Sequence, residues 1–295
     1  MKDVYTIGDL ESRARLDAGA EKPARLAVLG HPIAHSASPR MHQAALDASG
    51  RDLRYIRLDI DPGKVGEAFS RMRALGFVGC NVTVPHKLEA MSRCKADPQA
   101  LALGAVNTIR FDEDATRGFN TDGPGFALAV ETEFGVNLRG LTVVIAGAGG
   151  GAGQAIAAQC GLAGVGKLVL VNRSLDKLRP LLGRLEPATR IIALTFDDPT
   201  LAEQCQSADL IVNTSSLGLK SGDPPILPAA CLKRRPLVYD TIYQPPVTAL
   251  LALASEAGCR TANGLSMLVN QGALAFQHWF PGSDPLAVMR DEMKG

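Results

Sequence analysis

The chain has 295 residues, with 31 basic and 30 acidic side chains and a formal net charge of +1. This balance gives no reason to expect nucleic acid or a membrane surface as a partner, and no apolar run is long enough to span a bilayer. With 46% hydrophobic residues, the chain can bury the core of one large domain or two medium domains. The polar N-terminus is unlike a secretion signal, and six scattered cysteines lack zinc-site spacing, which predicts a cytoplasmic protein with reduced thiols and no metal.

The first half of the chain reads as a series of βαβ units, because apolar runs bounded by glycine and proline alternate with helical patterns. This pattern predicts an α/β fold with a mainly parallel sheet. Strands and helices are expected, alternately, at residues 26–30, 39–49, 55–60, 63–75, 78–84 and 86–94. A hairpin around DEDAT follows at 105–111 and 117–119, and residues 1–22 form a charged extension to which the pattern assigns no function.

The stretch GFVGCNVTVPHK has polar side chains at the end of a predicted strand. Alternate side chains of a strand share a face, so Val82 and Val84 are expected to face a core together. Asn81 and Thr83 would then share the other face, which is either solvent or a polar pocket. Lys87 follows directly after this strand end.

The motif NTDGPGF contains two glycines and a proline, which indicates a junction and predicts a domain boundary there. A second series of strands is expected at 142–146, 168–172, 190–195, 209–213 and 237–241, with helices between most of them. Two helical patterns at 265–279 and 285–293 end the chain.

The motif LTVVIAGAGGGAG joins a hydrophobic strand to a helix through a glycine loop containing Gly147, Gly149, Gly150 and Gly151. Such glycines allow a tight turn and let the backbone approach a pyrophosphate at the helix N-terminus. Ala152 holds the third glycine position of the dinucleotide-binding fingerprint. The alternative is a glycine-rich turn with a structural role only.

The strand after the glycine loop ends in LVLVNRS, where NAD-binding folds carry an acid for the ribose hydroxyls. Here Asn172, Arg173 and Ser174 take that place, and Lys177 follows. A guanidinium can hold a 2′-phosphate through two hydrogen bonds, so the sequence favours NADP over NAD. The alternative is a solvated arginine followed by a helix N-cap serine.

The motif GHPIAHSASPRMH places Ser36 and Ser38 in a loop before a helix. Together with free backbone amides, these hydroxyls suit a carboxylate ligand. Ser38 followed by Pro39 is also a common N-cap and N1 pair, so a capping role stays open.

Lys87 and Asp122 both follow predicted strand ends, each beside a proline or a glycine. A lysine near a carboxylate in a partly dry cleft can transfer protons to and from a substrate. Taken singly, each residue is more often found on the surface.

Nine motifs, in order, resemble those of the shikimate dehydrogenase family over about residues 26–280: GHPIAHSASPRMH, GCNVTVPHK, GAVNTI, FNTDGPG, GAGGGAG, VNRS, DLIVNTSSLG, YDTIYQPPVT and NGLSMLVNQGALAFQHW. The resemblance implies reversible reduction of 3-dehydroshikimate to shikimate with NADPH as cofactor. It also implies an N-terminal α/β substrate domain and a Rossmann-type nucleotide-binding domain, with C-terminal helices packing back on the first domain. The corresponding residues are 1–22 as an extension, 23–122 with 264–295 as the substrate domain, and 123–263 as the NADP domain. We expect a monomer or a homodimer.

The resemblance also assigns roles to single residues. Ser36 and Ser38 would hold the substrate carboxylate, and Lys87 and Asp122 would be the catalytic pair. The substrate hydroxyl groups would be bound by Thr83, Asn107 and Asp122. Gln271 and Tyr243 would lie nearby. The cofactor would be bound by Gly147, Gly149, Gly150, Gly151, Asn172, Arg173, Ser174, Lys177, Leu219 and Gly264.

One family motif is changed here, since the usual Asn-Thr-Thr-Pro-Leu-Gly-Met reads NTSSLGL. Loss of the proline predicts a looser loop, and Leu219 replaces a methionine beside the nicotinamide. Two alternatives remain. A quinate/shikimate dehydrogenase paralogue often prefers NAD, which Arg173 argues against. A non-catalytic NADP-binding regulatory protein predicts damage to the Lys87 and Asp122 pair, and both residues are present.

Overall fold

The computed structural model describes residues 2–185 and 189–294. Contacts divide the chain into two compact units, Met1–Thr121 with Val269–Gly295, and Asp122–Leu268. Each unit is built around one sheet with helices between the strands, which confirms the predicted α/β class with two parallel-sheet domains.

The first unit contains a seven-stranded sheet in the order β1-β3-β2-β4-β6-β7-β5. Neighbouring strands from β1 to β4 are parallel, whereas β6 runs antiparallel to both β4 and β7. The pair β6 and β7 is the predicted hairpin. The elements are β1 (Val4–Thr6), a 3-10 helix (Ile7–Glu11), α1 (Arg13–Leu16), β2 (Ala24–Gly30), α2 (Ser38–Ala48), β3 (Arg54–Asp59), α3 (Val65–Ala74), β4 (Gly79–Val82), α4 (Lys87–Ser92), β5 (Lys95–Ala96), α5 (Pro98–Leu103), β6 (Thr108–Phe111) and β7 (Thr116–Phe119).

The N-terminal segment is part of this sheet, although the sequence predicted no element in residues 1–22. Strand β1 pairs in parallel with β3, with Val4 opposite Arg57. Three apolar side chains scattered among the charges of the segment are buried, namely Tyr5, Leu10 and Leu16. Their burial supplies the free energy that holds a charged segment on the sheet edge.

Strand β4 ends earlier than predicted. Val82 is buried, as expected, but Val84 is 62% exposed, so the prediction that Val84 faces the core is wrong. The chain leaves the strand at Thr83, whose amide still donates to the Leu29 carbonyl at 2.8 Å. Asn81 faces the protein interior rather than solvent, and its Oδ1 accepts a hydrogen bond from the Tyr55 hydroxyl at 2.7 Å.

The second unit contains a six-stranded sheet in the order β10-β9-β8-β11-β12-β13, and all its strands are parallel. Numbered from its own first strand, this order is 3-2-1-4-5-6, which defines the Rossmann fold. The elements are α6 (Asp122–Phe134), β8 (Thr142–Ala146), α7 (Gly151–Leu162), β9 (Lys167–Val171), a 3-10 helix (Leu175–Leu178), α8 (Arg179–Leu185), β10 (Arg190–Leu194), α9 (Leu201–Gln206), β11 (Leu210–Asn213), a 3-10 helix (Ala229–Leu232), β12 (Leu237–Asp240), α10 (Ala249–Glu256) and β13 (Thr261–Ala262).

The junction motif NTDGPGF is the first turn of a helix, since α6 begins at Asp122. Pro124 is tolerated there because amides of the first turn have no partner inside the helix. The division between the two units falls just before this helix.

The last two helices are α11 (Leu265–Trp279) and α12 (Leu286–Lys294). The indole of Trp279 donates to the Ile109 carbonyl at 2.8 Å. A Cβ atom on Gly79 would overlap Trp279, so this contact requires a glycine in β4. Arg40 of α2 meets Glu292 of α12 at 2.6 Å. These contacts confirm that the C-terminal helices pack on the first unit.

We predict that His42 makes the protein sensitive to acid. Its ring is fully buried and stacks on Tyr55, with centroids 4.5 Å apart. Burial lowers the pKa of His42 to about 3, although Asn81 nearby favours the charged form. Neither ring nitrogen has a hydrogen-bond partner among the described residues, so burial prevails. An unfolded histidine, with a pKa near 6.5, takes up a proton before the folded one does.

As the pH falls below 6.5 towards 3, this group therefore lowers the free energy of unfolding by about 1.4 kcal/mol per pH unit. Between pH 7 and pH 5, the free energy of unfolding should fall by about 2 kcal/mol less in His42→Phe than in the wild type. Urea unfolding at both pH values measures this difference. Equal losses in the two proteins would rule out His42 as the cause.

Candidate active site

The first unit gathers polar side chains where its strand order reverses. Strand β2 lies between β3 and β4, and ligands of open α/β sheets bind at the carboxyl ends of strands beside such a point. The loop after β2 carries Ser36 and Ser38, and the turn after β4 carries Thr83 and Lys87. The structure therefore places these four predicted site residues after the carboxyl ends of two neighbouring strands.

The two serines do not cap helix α2. Ala37 holds the N-cap position, and Ser38 is the first residue of the helix, so the N-cap alternative for Ser38 is wrong. Ser36 is half-buried, and its hydroxyl accepts from the Ser38 amide at 3.3 Å. Ser38 is buried but does not use its hydroxyl as a cap. Both hydroxyls lie at the start of a helix, where an anion is favoured.

Arg57 holds the serine loop in place. Its guanidinium donates to the Ser36 carbonyl through Nε at 3.1 Å and Nη2 at 2.8 Å. Asp3, next to β1, accepts from the same guanidinium at 2.6 Å. Nothing in the local sequence pattern of β3 separates Arg57 from an ordinary solvated arginine, so this role was not predicted.

Thr83 and Lys87 lie on either side of a short turn. A Cβ atom on Gly30 would lie 2.7 Å from the Thr83 methyl group, so strand β2 needs a glycine at its end to let this turn approach. Lys87 is half-buried as the first residue of α4, and its carbonyl accepts from the Val106 amide at 3.3 Å. The backbone of the lysine is therefore fixed by a second segment.

Asn107 is buried and joins several segments by hydrogen bonds. Its Oδ1 accepts from the Thr121 amide at 2.8 Å, and its Nδ2 donates to the Thr121 hydroxyl at 3.0 Å. Its backbone carbonyl accepts from the Val82 amide at 2.7 Å. The amide group is therefore held in one orientation beside the strand that leads to Thr83.

The remaining predicted substrate residues are divided between the two units. Gln271 is half-buried in α11 and belongs to the first unit. Asp122 and Tyr243 belong to the second unit, where Asp122 is buried at the start of α6 and Tyr243 is half-buried. Burial raises the pKa of the Tyr243 phenol, which keeps it protonated and able to donate a hydrogen bond.

The glycine loop of the second unit follows β8, where the Rossmann strand order reverses. Gly147 adopts φ +84°, which favours glycine, and Gly150 is the N-cap of α7. The tight contact between helix and loop occurs at Gly153, where a Cβ would lie 2.7 Å from the Gly147 carbonyl oxygen. Ala152 holds the fingerprint position, but Gly153 makes the close contact, which the sequence analysis missed.

The loop after β9 fits the phosphate of NADP. Asn172 Oδ1 accepts from the Gly149 amide at 3.3 Å, and Asn172 Nδ2 donates to the Ser174 carbonyl at 2.8 Å. The side chains of Arg173 and Lys177 are exposed, and neither forms an ion pair with any described residue. Two cations without a carboxylate partner beside a glycine loop suit a cofactor that carries an additional phosphate.

The loop after β11 is held by hydrogen bonds, although the loss of a proline predicted a looser loop. Asn213 Oδ1 accepts from the Ser215 amide at 2.9 Å, and the Ser215 hydroxyl accepts from the Leu217 amide at 3.1 Å. Leu219 is 53% exposed. Gly264 packs against the Thr241 carbonyl so closely that a side chain would overlap it.

Asp240 is the buried anchor of this region and was missed by the sequence analysis. It accepts hydrogen bonds from the side-chain amide of Asn213 at 3.1 Å, from the Thr248 hydroxyl at 2.7 Å and from the backbone amide of Ile242 at 3.0 Å. Burial raises the pKa of this carboxyl, while these donors favour its charged form. Asn213 and Asp240 are register partners at the ends of adjacent strands. The signal available in the sequence was a polar residue near the end of each of these two predicted strands.

Among residues 2–185 and 189–294, no cluster of three or more histidine, cysteine, aspartate or glutamate side chains is arranged to hold a metal ion. No helix there has both the length and the apolar character needed to cross a membrane.

The fold and these residues define a two-unit enzyme with a Rossmann-type dinucleotide-binding unit. The family model described as "Shikimate dehydrogenase substrate binding domain" matches residues 28–109, and "Shikimate 5'-dehydrogenase C-terminal domain" matches residues 264–294. A relative from Moorella thermoacetica, named "Shikimate dehydrogenase (NADP(+))", is 42% identical over 269 residues and covers 90% of each chain. The chain therefore belongs to the shikimate dehydrogenase family.

Solved structures show the same fold. A shikimate 5-dehydrogenase from Thermus thermophilus, in complex with NADP(H) and shikimate, has a TM-score of 0.80 and 33% identity. That alignment covers 92% of this chain and 98% of the other. A quinate dehydrogenase from Corynebacterium glutamicum in complex with NAD has a TM-score of 0.83 and 29% identity, covering 91% and 98%. The fold is thus shared by enzymes that differ in substrate and cofactor.

We predict that Gly153→Ala destabilises the protein. An added Cβ would lie 2.7 Å from both the Gly147 carbonyl oxygen and the Thr214 hydroxyl. Such overpacking costs about 1–3 kcal/mol, more than the gain in helix propensity. Gly151→Ala is the matched control, because its Cβ would meet nothing within 4 Å. Urea unfolding of both variants decides the matter, and equal stabilities would contradict the role of Gly153.

Proposed function

We propose that this protein is an NADP-dependent shikimate dehydrogenase that reversibly reduces 3-dehydroshikimate to shikimate, with Lys87 and Asp122 handling the proton. One observation carries the assignment: Arg173 is exposed and has no described ion-pair partner at the end of β9, beside the glycine loop of a Rossmann sheet. The membership of the shikimate dehydrogenase family supports the substrate.

The substrate carboxylate binds to the hydroxyls of Ser36 and Ser38. Their place at the start of α2 supports this role, because amides and hydroxyls there can donate to an anion. The ring hydroxyls bind to Thr83, Asn107 and Asp122. Two further side chains lie next to the substrate, Gln271 and Tyr243.

Lys87 and Asp122 form the proton-transfer pair. When shikimate is oxidised, the reacting hydroxyl loses its proton, and in reduction the new alkoxide gains one. Lys87 either exchanges this proton or stabilises the developing oxyanion by its charge. In both roles its interaction is strongest in the transition state.

The cofactor binds to the second unit. Bound NADPH supplies the hydride for reduction. The glycine loop from Gly147 to Gly151 accommodates the pyrophosphate at the start of α7, a helix of 12 residues. The adenosine phosphate binds to Arg173 and Lys177 with Asn172 and Ser174. Leu219 and Gly264 complete the cofactor site, with Leu219 as an apolar wall near the nicotinamide.

Three further proposals follow from the sequence. The substrate domain consists of residues 23–122 and 264–295 together with the N-terminal segment, which joins its sheet through β1, and the NADP domain consists of residues 123–263. The protein is cytoplasmic, and it is a monomer or a homodimer. A quinate dehydrogenase with the same fold is known in complex with NAD, but Arg173 favours NADP here.

We predict that Lys87→Ala lowers kcat by about 10²–10⁴, with a smaller change in KM, because general acid–base catalysis contributes about this much. Steady-state oxidation of shikimate by NADP measures both constants. Lys95→Ala, at an exposed lysine of the same unit, is the control and should behave as the wild type. A kcat for Lys87→Ala within about twofold of the wild type would refute the assignment.

We predict that the wild type prefers NADP over NAD in kcat/KM and that Arg173→Ala largely removes this preference. A charge-assisted hydrogen-bonded contact contributes roughly 1.5–3 kcal/mol, which corresponds to about 10- to 150-fold. Arg139→Ala, an exposed arginine at the amino end of β8, is the matched control. Equal use of both cofactors by the wild type would contradict the proposal.

A further inference from the structure

Five buried side chains of the first unit form one continuous hydrogen-bonded series, which we call the Tyr55 chain: Tyr55, Asn81, Thr108, Asn107 and Thr121. The Tyr55 hydroxyl donates to Asn81 Oδ1 at 2.7 Å, and Asn81 Nδ2 donates to Thr108 Oγ1 at 3.2 Å. Thr108 Oγ1 donates to Asn107 Oδ1 at 3.1 Å, and Asn107 Nδ2 donates to Thr121 Oγ1 at 3.0 Å.

The hydrogen bonds of the Tyr55 chain run in one consistent direction from the phenol. Burial raises the pKa of the Tyr55 phenol, so it remains protonated and donates to Asn81. The Asn81 amide therefore presents its Nδ2 to Thr108. The Thr108 hydroxyl, having accepted this hydrogen bond, directs its single proton to Asn107.

The far end of the Tyr55 chain agrees with this direction. The backbone amide of Thr121 can only donate, and it lies 2.8 Å from Asn107 Oδ1. The oxygen of the Asn107 amide is therefore an acceptor at each of its three contacts, with the Thr108 hydroxyl, the Thr121 amide and the Thr121 hydroxyl. A buried series in which every donor meets an acceptor holds its members rigidly.

We propose that Tyr55 is a positioning residue of the substrate site: its phenol proton orients Asn81 and Thr108 and, through them, the Asn107 amide that binds shikimate. This inference rests on the proposed function, which assigns Asn107 to the substrate. Without the phenol, Asn81 Oδ1 loses its donor and the Asn81 amide can rotate. Thr108 can then turn its proton to the Thr121 hydroxyl, 3.3 Å away, and Asn107 loses one of the contacts that fix it.

Tyr55→Phe tests this role, because it removes the hydroxyl and keeps the ring that stacks on His42. Loss of one neutral hydrogen bond is expected to lower kcat/KM for shikimate about fivefold, with an unchanged KM for NADP. Tyr5→Phe is the matched control. The Tyr5 hydroxyl is also buried in the first unit and accepts from Arg54 Nη1 at 2.7 Å, outside the Tyr55 chain. Similar loss of stability in both variants, with lower kcat/KM only in Tyr55→Phe, supports the proposal.

A double-mutant cycle with Asn107→Ala separates positioning from general destabilisation. If Tyr55 acts through Asn107, Tyr55→Phe should add no further loss of kcat/KM in the Asn107→Ala background. Wild-type kcat/KM in Tyr55→Phe, or full additivity in the cycle, would overturn the role of Tyr55 and leave the proposed function intact. Wild-type kcat/KM in Asn107→Ala would overturn the assignment of Asn107 to the substrate, and the role of Tyr55 with it.

A second variant keeps the proposal testable if Tyr55→Phe does not fold. Thr108→Val interrupts the Tyr55 chain at its middle and nearly preserves the volume of the side chain. It should lower kcat/KM for shikimate about fivefold as well, again with an unchanged KM for NADP. A Thr108→Val enzyme with wild-type kinetics would overturn the proposal.

Discussion

The first unit depends on the hydrogen bonds of one buried residue, Asn107. Its backbone carbonyl accepts from the Val82 amide, its backbone amide donates to the Phe119 carbonyl, and its side chain holds Thr121. Three segments therefore meet at this position: the end of β4 at Val82, the segment of Asn107 itself, and the stretch 119–121 at the end of β7. Because buried polar groups are costly when unpaired, none of these segments can move without breaking a hydrogen bond.

The Rossmann unit uses the same principle with a charged group. Asp240 lies buried at the end of β12 and receives donors from Asn213, Ile242 and Thr248. Asn213 ends β11 and accepts a hydrogen bond from Ser215 in the following loop, whereas Ile242 and Thr248 follow β12, so one carboxylate helps to order both loops. The loop after β11 can therefore stay ordered without the proline of the family motif. Hydrogen bonds hold this loop in place, and a restricted backbone angle is not needed.

The sequence predicted the elements and the strand-end motifs, because these depend on local periodicity and on glycine at tight turns. The strands from β8 to β12 and the helix α11 lie within a residue or two of their predicted places. The pattern failed where a tertiary contact decides the outcome. Val84 fits the alternation of a strand, yet the chain leaves the sheet before it. The segment with Tyr5 joins the sheet through long-range burial, and Arg57 holds the serine loop through a contact between distant residues.

The two units differ in how they can recognise a ligand. The first unit offers largely neutral groups, such as the Asn107 amide, whose donors and acceptors are paired with one another. Such groups discriminate by direction, since a ligand hydroxyl in the wrong place leaves a buried group unpaired. The second unit offers exposed cations on Arg173 and Lys177. A cation attracts a phosphate from a distance, and a guanidinium then holds it through two hydrogen bonds. Under the proposed function, rigidity is therefore concentrated where the shikimate ring must be oriented, and exposed charge is left where a phosphate must be captured.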